Sequence, residues 1–491
     1  MSRSTRREFL ENSMFAFAAA AAGSMAPQML QSARAASPNE KLRVAVLGVN
    51  GRGGTHISNF LRREDCDIVA IVDPDETVGQ KRVEQIAGKQ GSKPAFHQDL
   101  RSVMEDPNID VISIATPNHW HSLATIWAVQ NGKSVYVEKP VSHNVTEGRR
   151  AVQAARKHDV IVQCGTQSRS HQSHQEAMAF IHGGGIGDVK LARGLCYKRR
   201  KSIGPRGNYD VPASVDYNVY LGPANEEPLT RQRFHYDWHW QWNCGNGDIG
   251  NQGIHQMDIA RWFLGEQALS PRVMSIGGRV GYVDAGDTPN TQIVYHDYDN
   301  APLIFETRGL PKKGLDWKNG MDNYRGSQIG VIVQCEDGYV VIPSYTKATA
   351  YTNEGEPIQT WSGGGGHHDN FISAVRSRNH KDLNADIEEG HLSSALCHLG
   401  NISYKLGETM DTAELRAALG DDEQATESLE RTVKHLAKND VNADRTPMAL
   451  GPALALNGKD EVFVGSHASA ANPLLFREGR GEFRIPDEAS L

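Results

Sequence analysis

A chain of 491 residues is too long for one ordinary hydrophobic core and predicts two domains with appendages. Its hydrophobic content of 39%, charged content of 23% and formal net charge of −7 describe a soluble globular protein without a broad basic surface, which excludes nucleic acid as an expected partner. The six cysteines are scattered with no CxxC pair, so they read as buried thiols and not as a disulfide framework.

Residues 1–35 combine Arg6-Arg7 with Phe9-Leu10, a weakly apolar alanine-rich run from Met14 to Ala22, and Ala33-Arg34-Ala35. This resembles a twin-arginine export signal with its small-residue cleavage site, and the apolar run is too short and interrupted to span a bilayer. The resemblance implies a periplasmic or otherwise exported protein that crosses the membrane already folded.

Residues 41–165 read as a Rossmann domain. The run Leu42 to Leu47 breaks into Gly48-Val49-Asn50-Gly51-Arg52-Gly53-Gly54, a helical pattern follows, and a second apolar run, Asp67 to Val72, ends on Asp73. Strand, glycine turn, helix, strand and terminal acid are the layout of a dinucleotide site. Gly48, Gly51 and Gly53 allow a sharp turn and bring bare backbone to a pyrophosphate at a helix N-terminus. Asn50 replaces the middle glycine of the usual spacing and tolerates positive φ, and Arg52 lies beside it. Asp73 is placed to accept hydrogen bonds from a ribose diol and to repel a 2′-phosphate, which favours NAD over NADP.

Helical and strand patterns then alternate through Cys164, with near-continuous apolar strands at Asp110–Ala115, Ser134–Val137 and Val160–Cys164, as in a parallel sheet covered on both faces. Ligands of such sheets bind beyond the carboxyl ends of strands, where this chain carries Thr116-Pro117-Asn118-His119-Trp120-His121 and Glu138-Lys139-Pro140. Thr116, Asn118, His121 and Glu138 are therefore candidate cofactor contacts, and Pro140 is a candidate cis proline. A lysine at such a strand end can be desolvated, which lowers its pKa and lets it relay a proton from a substrate hydroxyl, so Lys139 is a candidate catalytic residue.

The glycine turn with Arg52-Gly53, Thr116-Pro117-Asn118 with His121, and Glu138-Lys139-Pro140 together resemble the glucose-fructose oxidoreductase, inositol dehydrogenase (Gfo/Idh/MocA) family, over roughly Leu42 to Gly407. The resemblance implies that Lys139 touches both a substrate hydroxyl and the nicotinamide ribose, and that Glu138 helps hold the nicotinamide half. It also implies an α+β second domain whose sheet forms an oligomer interface, hence a dimer or tetramer.

From residue 166 to about 410 the strands become longer and more polar, and the runs between Arg272 and Val341 suggest an open, mostly antiparallel sheet. Gln167 and Arg169, just after the last parallel strand, are placed to reach the cleft, Gln167 toward cofactor and Arg169 toward substrate. The basic run Lys198-Arg199-Arg200-Lys201 reads as a solvated loop. In Phe234 to Trp242, an extended segment puts Trp238, Trp240 and Trp242 on one face, which can stack on a sugar ring or form an aromatic core.

The glycine-rich Gly245 to Gly253 runs into an amphipathic helix carrying His255 and Asp258. His255 is a candidate acid or base, and Asp258, three residues on, shares its helix face and can orient the ring. The family resemblance places an aspartate at position 251, where this chain has Asn251, which cannot take a proton; His255 then acts alone, or with Asp248, or the chemistry is altered. The pairs His367-His368, His119 with His121, and His171 with His174 lack a full ligand set, so no metal is expected. Residues 411–491 read as a charged, then loop-like, C-terminal extension.

Three functions fit: an NAD-dependent oxidoreductase acting on a sugar or polyol hydroxyl, a redox-neutral NAD-dependent glycoside hydrolase, and a carbohydrate-binding relative without turnover. Outside the cytoplasm no nicotinamide pool recycles the cofactor, so an exported NAD protein is expected to keep its NAD bound.

Overall fold

The apolar runs of the first part become a six-stranded sheet in which every strand is parallel: β1 (Leu42–Leu47), β2 (Cys66–Val72), β3 (Ala95–His97), β4 (Val111–Ile114), β5 (Ser134–Val137) and β6 (Val162–Cys164). The computed structural model describes residues 40–312, 320–420 and 422–491, so the export-signal segment 1–35 lies outside the described residues. The strand order β3-β2-β1-β4-β5-β6 reverses direction between β1 and β4, which opens a crevice at their carboxyl ends. Helices α1 (Gly53–Phe60), α2 (Glu76–Gln90), α3 (His121–Gln130) and α4 (Val145–Lys157) make the crossovers. Local chemistry sets their ends. Asp75 caps α2 by accepting from the Thr77 N–H at 3.0 Å, and Asn144 caps α4 through the Glu147 N–H at 3.0 Å.

Helix α5 (Gln172–His182) leads into a second sheet of twelve strands. Its main path runs β14-β13-β12-β11-β7-β10-β9-β8-β16-β15, ending on β16 (Met448–Leu450) and β15 (Glu408–Met410), and β17 (Leu454–Asn457) pairs with β8 and with β18 (Val462–Val464). The long strands are β7 (Val189–Tyr197), β8 (Arg272–Gly278), β9 (Thr291–Asp297), β10 (Leu303–Arg308), β11 (Ile329–Cys335), β12 (Gly338–Ser344), β13 (Lys347–Thr352) and β14 (Pro357–Ser362). Pairing is antiparallel except between β7 and β10.

One face of this sheet packs on α6 (Ile254–Leu264) and α8 (Ile387–Lys405), which follows α7 (His367–Ser377). Phe305 of β10 is fully buried there, and Gly253 makes its approach possible: a Cβ at Gly253 would stand 2.7 Å from the ring. The contact seats the first turn of α6, and with it His255, on the sheet.

The other face is covered by α9 (Thr412–Leu419) and α10 (Glu423–Ala437), through Leu415, Leu429 and Leu436 against Ile276, Ile293 and Ile304. The loop-like reading of the tail is corrected here. Asp411 and Glu414 form a capping box at the start of α9, β15 (Glu408–Met410) and β16 (Met448–Leu450) extend the sheet, and Phe483, Ile485 and Leu491 join the Rossmann core. No described helix is long and apolar enough to cross a membrane.

Phe305→Ala removes a fully buried ring and should lower the unfolding free energy by about 3–5 kcal/mol. The readout is a lower urea midpoint at an unchanged slope; an unaltered midpoint would mean that this ring does not anchor α6.

Candidate active site

The crevice holds a cavity built from three strand ends. After β1, Gly48 at φ +76° turns the chain so tightly against β4 that a Cβ there would stand 2.7 Å from the Thr116 nitrogen. A Cβ at Gly53 would meet the Gly48 carbonyl oxygen at 2.0 Å, so glycine lets α1 start on the turn itself, while Gly51 faces open space. Asp73, at the end of β2, accepts from the Val49 N–H at 2.8 Å and the Asp75 N–H at 3.0 Å, so it also braces the turn. Burial raises its pKa and those two N–H groups oppose the rise.

These residues suit a dinucleotide. The backbone N–H groups of Asn50, Gly51 and Arg52 have no acceptor among the described residues, and they stand where α1 begins, with no side chain at Gly51 to bar a pyrophosphate. Asp73 lines the same cavity and keeps lone pairs for a ribose diol.

At the end of β5 the carboxylate of Glu138 is buried, and its Oε1 accepts from Arg52 Nε at 2.7 Å, from His56 Nε2 at 3.1 Å and from Gln167 Nε2 at 3.3 Å. His56 Nε2 faces the carboxylate and donates to it, while Nδ1 lies 2.9 Å from Ser113 Oγ. Burial pushes the Glu138 pKa up, but Arg52 and His56 more than offset it and hold the group well below the usual range. Gln167 also reaches the Tyr136 hydroxyl at 3.0 Å, so it braces Glu138 from behind.

Lys139 follows, joined to Pro140 by a cis peptide, and its Nζ donates to the Asn251 carbonyl at 2.6 Å. Burial lowers the pKa of its ammonium; Glu138 opposes this, and Arg52 and Lys198 add to it. Asn251 belongs to a π-helical turn, Ile249–Gly253, that enters α6. Its contact to Lys139 is made by backbone, which aspartate would supply equally. His255 lies one turn further on, with its pKa held well below normal by burial and by the Lys139 ammonium, so the imidazole is neutral near pH 7. Its ring meets Tyr345 edge-on at 5.6 Å between centroids, and its Nδ1 has no partner among the described residues. His121 bridges the carbonyls of Thr116 and Pro140, and Asn118 donates to Asn246 at 3.0 Å.

The structure thus gathers Gly48, Asn50, Gly51, Arg52, Asp73, Thr116, Asn118, His121, Glu138, Lys139, Asn251 and Trp238 around one cavity. Other expectations are corrected. Residues Asp237–Trp240 form a helical turn, so the three tryptophans fan apart; Trp240 is buried beneath Arg279 and Arg200, and Trp242 lines a different cavity. Arg169 does not reach the cleft, because its Nε pairs with both oxygens of Asp258 at 2.9 and 3.0 Å. Asp258 also accepts from Ser393 at 2.7 Å and is fully buried, so it orients Arg169 and not His255. Asp248 is held by Arg200 in the same way and does not assist His255.

The basic run is no simple solvated loop. Arg200 makes that buried pair, and Lys198 Nζ donates at 2.9 Å to Oε1 of Gln252, within the π turn. Lys198, Tyr345 and His56 were missed; only Lys198 stood in a stretch that drew attention, and nothing local marked the others.

The segment around Phe234, His235, Tyr236 and Trp238 lies over the Asp73 side of the cavity. His235 ties it to Asp75 at 2.9 Å, and the earlier stretch before Tyr217 is tied to the same strand end, by Ser214 Oγ to Asp75 at 2.8 Å and by the Asp216 N–H to the Pro74 carbonyl at 2.9 Å.

Fold and cavity together define a dinucleotide-dependent oxidoreductase scaffold. Residues 42–166 match the NAD-binding Rossmann fold, and residues 202–439 the C-terminal alpha/beta domain, of one oxidoreductase family, and the chain belongs to it: Gfo/Idh/MocA. Its first domain binds NAD. Among curated relatives, scyllo-inositol 2-dehydrogenase (NAD(+)) of Bacillus subtilis is 32% identical over 32% of this chain and 44% of its own length. Myo-inositol 2-dehydrogenase of Thermotoga maritima is 28% identical over 55% of this chain and 74% of its own. An alpha-N-acetylgalactosaminidase of Shewanella oneidensis is 32% identical over 24% of this chain and 27% of its own length. The chain therefore spans less than half of the first and third of these relatives. Levoglucosan dehydrogenase, solved with NADH and levoglucosan, shares the fold at TM-score 0.54 and 18% identity, over 73% of this chain and 95% of that one.

Asp258→Asn breaks a buried ion pair and should cost about 3–5 kcal/mol of stability. Thermal unfolding is the readout. A variant of normal stability with lost turnover would return Asp258 to the reacting centre.

Proposed function

We propose that the protein is an NAD-dependent oxidoreductase acting on a hydroxyl of a sugar or polyol, with its NAD retained through the cycle. The observation that carries this reading is that Lys139 lines the same cavity as Asp73 and the glycine turn, held against the Asn251 carbonyl and with His255 close by. NAD, when bound, would supply the hydride acceptor, and because it is retained the hydride must return within the cycle to a second, carbonyl-bearing substrate. The chain's part is to orient the substrate and to move one proton. A lysine whose pKa is lowered by burial is neutral in a larger fraction of molecules, so Lys139 can take the hydroxyl proton, and the neutral imidazole of His255 can accept it in turn. Arg52 neutralises Glu138, which keeps that carboxylate from raising Lys139 fully back to its ordinary value.

Retention of the cofactor is supported by the segment fastened over the Asp73 side, and the resemblance of residues 1–35 to an export signal supports a protein that leaves the cytoplasm loaded. A second reading, redox-neutral hydrolysis of a glycoside in which the substrate is oxidised, cleaved and reduced again, is favoured by the partial similarity to the Shewanella galactosaminidase.

Purified protein, denatured without added cofactor, should release about one NAD or NADH per chain, and Lys139→Met should keep that NAD while losing roughly 10²–10⁴-fold in turnover on inositols and anhydrosugars. Unimpaired turnover in Lys139→Met would contradict the assignment. Cleavage of aryl glycosides without net NADH formation would favour the hydrolase.

A further inference from the structure

Two neighbouring residues of the segment over the cofactor cavity are fastened to opposite walls. His235 is tied to Asp75 on the first-domain side. Tyr236 is held from the other side: its hydroxyl accepts from Arg200 Nη1 at 3.0 Å, and Arg200 Nε donates to Asp248 at 2.9 Å. Asp248 immediately precedes the π turn whose Asn251 carbonyl receives the Lys139 ammonium. Tyr236 is thus anchored at the Lys139 end of the cavity that it lines.

It differs from the other aromatic rings there. Trp120, Tyr220 and Phe234 are buried, and Trp238 packs on an apolar cluster with Tyr220, Leu221 and Phe234, whereas Tyr236 is 54% exposed. Its position is nevertheless fixed. The hydroxyl sits on a guanidinium that a buried carboxylate holds, and His239 packs against the ring at right angles with 5.1 Å between centroids. Burial and Arg200, with a smaller push from Lys139 and against the pull of Asp248, drive the His239 pKa down to about 3, so this support is neutral. A ring held at its tip and open to the cavity is a stacking surface prepared before any ligand arrives.

The shape of that surface selects a shape of ligand. A chair-form carbohydrate ring gathers C–H groups on its faces and sets its equatorial hydroxyls around the rim, so a face can lie on the tyrosine while the rim stays free for Lys139. An open-chain polyol presents no such face until several rotatable bonds are frozen, and that entropy counts against it. The anchor of Tyr236 stands beside the π turn and not beside Asp73, which gives the ring to substrate and not to adenosine.

We propose that Tyr236 is the platform on which a cyclic substrate lies while Lys139 takes its hydroxyl proton, and that it makes the site selective for ring carbohydrates over open-chain alditols. This rests on the sugar oxidoreductase reading and narrows its substrate class.

The test uses NAD-loaded Lys139→Met, so that binding is read without turnover. It is titrated calorimetrically with glucose, galactose, mannose and xylose, and with the alditol obtained by reducing each. At least one sugar should bind about threefold or more tightly than its alditol. Adding Tyr236→Leu should weaken that sugar about three- to tenfold, leave the alditol within about twofold, and still release about one NAD per chain on denaturation. Tyr236→Phe, which keeps the ring, should retain the preference. Alditols bound as tightly as their sugars, equal losses for both in Tyr236→Leu, or loss of NAD from that variant would each overturn the platform and leave the oxidoreductase reading standing. Saturation by no carbohydrate at all would overturn both.

Discussion

The site depends on one buried carboxylate. Glu138 joins the end of β5 to the start of α1 through Arg52 and His56, and to the end of β6 through Gln167. A charge removed from water is tolerable only where donors surround it. Here the donors come from the cofactor turn itself, so the carboxylate that stabilises the crevice also fixes where the next residue, Lys139, must stand. Gly165 is part of the same solution, since a Cβ there would lie 2.9 Å from the Glu138 carboxyl carbon.

From this point the two sheets meet. Lys139 reaches across to a backbone carbonyl of the π turn that precedes α6, and α6 is seated on the large sheet by the ring of Phe305. The two groups to which proton transfer is assigned in the proposal are thus spanned between two rigid layers: the strand end supplies the lysine, and the helix supplies the histidine. Positions on such elements are held more closely than positions on loops, which is what proton transfer over hydrogen-bond distances requires. Asn251 sits at the joint. Because its backbone makes the contact, its side chain leaves the lysine's anchorage unchanged, whatever it does to the local charge.

The parts legible in the sequence were those whose cause is local. The run Leu42 to Asp73 declared strand, turn, helix and acid because each needs particular residues in a fixed order, and the strand ends at Thr116 and Glu138 followed from the period of the apolar runs. The parts misread were settled by partners far away in the chain. Asp258 and His255 share a helix face, but Arg169, nearly ninety positions earlier, takes the carboxylate, as Arg200 takes Asp248. The tryptophans of Asp237–Trp240 alternate only if the segment is extended, and a helical turn scatters them. The tail carried a readable capping box at Asp411 and Glu414, and its helices gained their apolar partners only from a sheet formed earlier in the chain.

The account stands on a desolvated Lys139, and the most direct measurement is its titration, by the pH dependence of its labelling with an amine-specific reagent in the NAD-loaded protein, quantified by peptide mass spectrometry. The account predicts a midpoint below the ordinary lysine value of about 10.4. A midpoint at or above that value would mean a solvated or carboxylate-paired ammonium, and would contradict the role assigned to it.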